Sequence, residues 1–208
     1  MRRAGTILAA LCLVPAIGFA ATEPAAEAAR NAAFSKLKAP GGVGGCVFAA
    51  VPVEVRRETI IRLLAAEFET AASLKAAVTR VTPECAGRAY DVQDHALIGS
   101  VMSAFRKAAS ALYLAHQLGV GQDALDYAWQ TAPASEKTSF YAVADEFLDP
   151  EASITRRALN TAALAERAGL DAESAKSAAS FLRMYFTNVA LSERAEAALQ
   201  RQGVTPDR

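Results

Sequence analysis

The chain has 208 residues, 52% of them hydrophobic, and its 22 Lys and Arg balance 22 Asp and Glu. That length supports one domain with a true core, and the lack of a basic excess argues against a nucleic-acid partner. No cofactor or metal motif is recognisable, so the residue pattern excludes more functions than it names.

The N-terminus has the layout of a secretory signal. Arg2 and Arg3 precede an apolar run from Ala4 to Phe19, which ends in Gly18-Phe19-Ala20. Small residues at that site predict cleavage between Ala20 and Ala21. The run has 16 residues and contains Pro15, short of the about 20 that a membrane span needs, so no stable membrane anchor is expected. A lipid anchor on Cys12 is disfavoured by the bulky Leu11 before it. Cleavage leaves a slightly acidic chain whose remaining cysteines, Cys46 and Cys85, are expected to pair in an oxidising compartment. These features place the protein in a bacterial periplasm or outside the cell.

Residues 21–45 read as an Ala-rich helix, with Pro24 in its first turn, followed by a flexible linker from Pro40 to Gly45. No Lys-Ser/Thr follows the glycines, so a phosphate loop is excluded. Residues 46–204 form the helical domain, with Cys46–Val51 the only candidate strand. Helical periodicity runs from Val53 to Arg80 through Ile60, Leu64, Phe68, Ala71 and Val78, and Thr82-Pro83 should stop it. One straight helix of that span would be about 42 Å long, and its flanking connectors could barely reach back to join the cysteines. A break near Glu69–Ser73 is therefore expected. Lys75 and Thr79 beyond it fall inside the apolar arc, as they would if two helices were read as one.

Asp91 is read as the cap of a helix ending at Leu118. One arc carries Leu97, Ile98, Val101, Met102, Phe105, Leu112 and Ala115; the opposite arc carries Ser103, Arg106, Lys107, Ser110 and Gln117. A helix over about 123–132 should turn Leu125, Ala128 and Trp129 inward and stop at Pro133. Another, capped by Ser135, should reach Leu148 with Phe140, Tyr141, Ala144 and Phe147. Asp149-Pro150-Glu151 predicts a further helix ending at Gly169. Asp171 predicts a long final one through Phe181, Leu182, Tyr185, Phe186 and Val189, whose apolar face fades where Glu193 and Glu196 enter. The expected fold is all-α, a compact bundle of about six or seven helices.

The run Leu164-Ala165-Glu166-Arg167-Ala168-Gly169-Leu170 resembles the stretch before the recognition helix of bacterial helix-turn-helix repressors. That resemblance implies a groove-reading helix at 172–180, where Lys176 is the lone base; the run is read as an ordinary helical corner. His95 and His116 share one helix about 31 Å apart by helical rise and cannot share a metal. His95, beside Asp91 and Asp94, belongs to a cap cluster, and His116 projects toward the apolar arc near a helix end. Glu67 interrupts the apolar stripe between Leu63, Ala71 and Leu74, and Asn188 should hydrogen-bond a neighbouring helix. Asp145, Glu146, Asp149 and Glu151 lack the spacing of a calcium loop, and Ser100 after Gly99 lacks the surroundings of a hydrolase nucleophile. The expected function is a non-enzymatic interaction module whose partner is another envelope protein. The alternatives are a carrier of an apolar small ligand lined by Phe, Tyr and Trp129, or an enzyme using Glu67 and His116.

Overall fold

The computed structural model describes residues 34, 37–39, 41–67, 71–153 and 157–204. The signal segment, the Ala20–Ala21 cleavage site, Cys12 and the helix expected before residue 34 lie outside the described residues, as does Phe68. Among the described residues the fold is all-helical, without a strand. Its helices are α1 (Gly42–Ala50), α2 (Val53–Leu64), α3 (Ala72–Ala86), α4 (His95–Leu118), α5 (Gln122–Thr131), α6 (Ala134–Leu148), α7 (Ala162–Arg167), α8 (Ala172–Ser177) and α9 (Ala179–Arg201).

The axis of the molecule is the pair α4 and α9, whose mutual contact is the most extensive of any two helices. They run antiparallel. Ser100 Oγ donates to Glu196, the Lys107 ammonium lies 5.4 Å from the Tyr185 ring, and Tyr113 stacks on Phe181 at 3.5 Å. Two apolar clusters sit along this axis. One joins α1, α2 and α3 to the first part of α4, through Val47, Phe48, Ile60, Leu74, Val78, Leu97, Val101 and Phe105. The other joins α5, α6 and α7 to α9, through Leu125, Trp129, Phe140, Leu164, Leu182, Tyr185 and Phe186.

The glycine run is not a linker. Gly42–Gly45 form the first turn of α1, and the candidate strand at Cys46–Val51 is helical through Ala50. Glycine is required here by approach: a Cβ on Gly44 would lie 2.2 Å from the Ser100 carbonyl oxygen, and one on Gly42 would meet the Glu196 carboxylate. The backbone amides of this first turn, which have no partner within the helix, find their acceptor on α9, where the Glu196 carboxylate takes Val43 N–H at 3.0 Å and Gly44 N–H at 3.1 Å.

The long helix from Val53 is two helices, parted between Leu64 and Ala72. α2 ends in a Schellman turn: Glu67 N–H reaches the Arg62 carbonyl at 2.9 Å, and Ala66 N–H reaches Leu63 at 3.2 Å. Ala66 holds the left-handed position of that turn with φ 59°. The break lets α3 fold back, and Cys46 and Cys85 are disulfide-bonded with Cα atoms 5.6 Å apart. Pro83 does not stop α3, which runs on to Ala86 and a left-handed Gly87.

Three further expectations are corrected. Asp94, not Asp91, caps α4, accepting Leu97 N–H at 2.9 Å. Asp149 caps no helix among the described residues; its side chain accepts Glu151 N–H at 2.9 Å in a tight turn, and the next described helix begins at Ala162. Asp171 does cap a helix, accepting the N–H groups of Glu173 and Ser174, but α8 is separated from α9 by a turn at Ala178. The corner that resembles a DNA-reading motif is a helix stop: Leu170 N–H returns to the Ala165 carbonyl at 3.0 Å and Leu170 is buried.

Candidate functional site

The middle of the polar arc of α4 is not a solvated face, although Gln117 at its end is exposed. Ser103, Lys107 and Ser110 are buried, because α4 is packed against helices from both apolar clusters. The serines are accommodated by bonding carbonyls of their own helix, Ser103 to Ser100 and Ser110 to Arg106, both at 2.8 Å. Lys107 needs a counter-charge and finds it on α5: its Nζ lies 2.7 Å from Asp126 Oδ1, which also accepts the Tyr185 hydroxyl at 2.7 Å. Burial, then the Asp126 charge beside it, pushes the Tyr185 phenol far above its ordinary range.

A second polar group closes the other side of the bundle. Glu193 accepts Trp129 Nε1–H at 2.8 Å and the Tyr141 hydroxyl at 2.5 Å, and the Arg194 guanidinium covers the Tyr141 ring. Burial and the Glu193 hydrogen bond push the Tyr141 phenol up to about 12. The fading of the apolar stripe at Glu193 and Glu196 is therefore where α9 acquires its two polar clasps. The Trp129 ring packs against Phe140, Tyr141 and Phe186, so the aromatic residues expected to line a carrier fill their own interior.

The residues singled out for catalysis are at the surface. Glu67 is exposed in the turn after α2 and pairs with Arg62 at 3.0 Å. His116 is exposed rather than facing the apolar arc, in the last turn of α4, with Gln117 Nε2 3.1 Å from its Nδ1. His95 Nδ1 lies 3.2 Å from the Phe147 carbonyl. Asn188 is buried but bonds its own helix, donating to the Met184 carbonyl at 2.6 Å rather than to a neighbour. Two members of the acidic cluster are drawn into ion pairs, Asp145 with Arg194 at 3.1 Å and Glu146 with Arg157, while Asp149 closes its own turn. Among the described residues no group of three or more His, Cys, Asp and Glu is arranged to hold a metal, and no helix is long and apolar enough to cross a membrane.

Two surface cavities carry recognition potential. The larger, about 360 Å³, opens between α3, the turn before α4, and α4, and is lined by Leu74, Lys75, Val78, Tyr90, Val92, Val101 and Met102. Leu74 and Val101 are buried at its floor, whereas Val92 at the rim is 52% exposed. The smaller, about 210 Å³, is bounded by His95, Ile98, Phe147 and Pro150 with the carboxylates of Glu146 and Asp149. Periodicity alone could mark Leu74, Val78, Val101 and Met102 as apolar, but not that a gap would remain between their helices. No family model matches the chain, and no curated protein or solved structure is detectably similar to it.

Proposed function

We propose that the protein is an exported, non-enzymatic interaction module that receives an apolar side chain of another envelope protein in the cavity between α3 and α4. One observation carries this reading: an apolar floor of Leu74 and Val101 reaches the surface beneath Val92 and Met102, with Lys75 at the edge. The interior polar groups support it from the other direction. Lys107, Asp126, Tyr185, Ser100, Glu193 and Glu196 are each engaged in holding helices together, and Glu67 and His116 sit at the surface on different helix ends, not in one site. The Cys46–Cys85 bond supports export, since such links persist in oxidising compartments.

The test is a photo-crosslinking residue at Val92 in intact cells, paired with Val78→Trp to fill the cavity. A single defined adduct that disappears on filling is expected; an adduct indifferent to filling counts against the reading. Sequencing the N-terminus of exported protein should show a chain beginning Ala21-Thr22. A second reading, carriage of an apolar small molecule, draws on the same cavity, whose volume falls in the range of small-ligand sites. N-phenylnaphthylamine fluorescence, enhanced by the unaltered chain and not by Val78→Trp, would favour that carrier.

A further inference from the structure

Residues Leu37–Ala39 lie against the start of α5, held by a set of contacts that reads a peptide. The Gln122 carboxamide pairs with both backbone groups of one residue: its Oε1 accepts Lys38 N–H at 3.0 Å, and its Nε2 donates to the Lys38 carbonyl at 3.2 Å. The N–H and C=O of one residue face the same way only in extended chain, where a facing strand residue would satisfy both. Gln122 takes the place of that facing residue. This pairing also fixes the orientation of the amide, since the opposite flip would set like groups against each other.

The side chains on either side of that bond are read as well. Lys38 Nζ lies 2.7 Å from Asp123 Oδ1, one residue along α5. Leu37 packs against both apolar clusters of the bundle. Gln122 is in turn tied to the interior, its Nε2 lying 3.5 Å from Asp126 Oδ2, and Asp126 is the carboxylate shared by Lys107 and Tyr185. A half-buried amide thus stands between the buried ionic centre and a peptide lying across the surface.

We propose that Gln122 and Asp123 form a peptide-recognition subsite for an extended apolar-Lys dipeptide, which the chain's own Leu37-Lys38 occupies in the resting state. The subsite combines main-chain pairing, which gives affinity, with an apolar seat and a carboxylate, which give sequence preference. It lies apart from the α3–α4 cavity and stands or falls independently of it. A peptide of the same character from a partner competes with the internal segment, whose tether gives it a high effective concentration. The unaltered protein should therefore bind such a peptide weakly, and a protein unable to fill its own site should bind it well.

The experiment uses the full chain and a fluorescent peptide of residues 35–40, Ser-Lys-Leu-Lys-Ala-Pro, followed by anisotropy. The double variant Leu37→Asp with Lys38→Glu vacates the site; Lys38→Glu alone, which leaves the Leu37 packing intact, serves if the double variant fails to fold by circular dichroism. The vacated chain is expected to bind the peptide at least about tenfold more tightly than the unaltered chain. Adding Gln122→Leu to it, or methylating the peptide's Lys38 backbone nitrogen, should each weaken binding by about tenfold. The methylated peptide keeps its charge, so its failure reports main-chain pairing rather than attraction to Asp123. Equal binding by vacated and unaltered chains, no binding by either, or indifference to Gln122→Leu or to the methyl group would overturn the proposal.

Discussion

Glu196 illustrates how much one side chain can organise. It accepts hydrogen bonds from Val43 N–H, Gly44 N–H and Ser100 Oγ–H, three donors on two other helices. Glu196→Ala should lower stability by about 2–3 kcal/mol in urea titration, since charge-assisted bonds are lost and helix-terminal amides are stranded. Gly44→Ala should cost at least about 3 kcal/mol, because backbone on α4 stands where the methyl would go. Ala66 offers the opposite case. It is exposed in a left-handed conformation that glycine adopts freely, so Ala66→Gly should raise stability by about 1 kcal/mol. The phenols of buried Tyr185 and half-buried Tyr141 set an alkaline limit. Unfolded tyrosine ionises around pH 10, whereas folded Tyr141 holds its proton to about 12 and Tyr185 is raised as well. Stabilisation from these groups is complete below pH 10 and is lost as pH climbs toward 12, because the unfolded chain releases protons that the folded chain keeps. Denaturant midpoints should fall from about pH 10 upward, and Tyr141→Phe should flatten that slope.

Among the elements, the disulfide and the α2–α3 break belong together, since the link closes only if the chain doubles back between Cys46 and Cys85. With a sequence separation of 39, the bond should contribute about 4 kcal/mol through chain entropy, measured as the drop in unfolding free energy for Cys46→Ser with Cys85→Ser. Such elements were legible to the extent that their causes were local. α5 follows its apolar spacing, with Leu125, Ala128 and Trp129 buried and a stop before Pro133, and the break in the helix from Val53 was implied by reach. α1 was illegible because glycine has no side-chain period and its cap arrives from Glu196, 153 residues away. The Asp149–Glu151 signal misled because the same carboxylate that caps a helix can close a turn on its own backbone. The buried centre at Lys107 was hidden for a related reason: a lysine among serines reads as a wet face until another helix supplies Asp126. The cavity between α3 and α4 left no trace in the sequence, because a gap depends on how two helices settle against each other.

Over the whole molecule, the disulfide staples only the cluster built on α1, α2 and α3, while Trp129, the sole tryptophan, reports on the other. Reduction should therefore separate the two signals, with far-UV dichroism melting at lower urea than Trp129 fluorescence; coincident transitions would mean the clusters unfold as one. Amide exchange of the reduced protein should lose protection in α1–α3 before α5 and α9. The reach of Glu196 has a consequence for the order in which the chain is made. Cys46 and Cys85 precede Glu196 in the chain and can join as soon as both have been exported, before the carboxylate that secures the start of α1 follows. A growing chain therefore holds its first apolar cluster covalently linked yet unclasped, its amides at Val43 and Gly44 open and its axial partner α9 missing. An exported chain truncated after Ser192 should hold that state: an oxidised, protease-sensitive intermediate, in which a folding helper would find its substrate and which is resolved only when Glu196 and the rest of α9 are present.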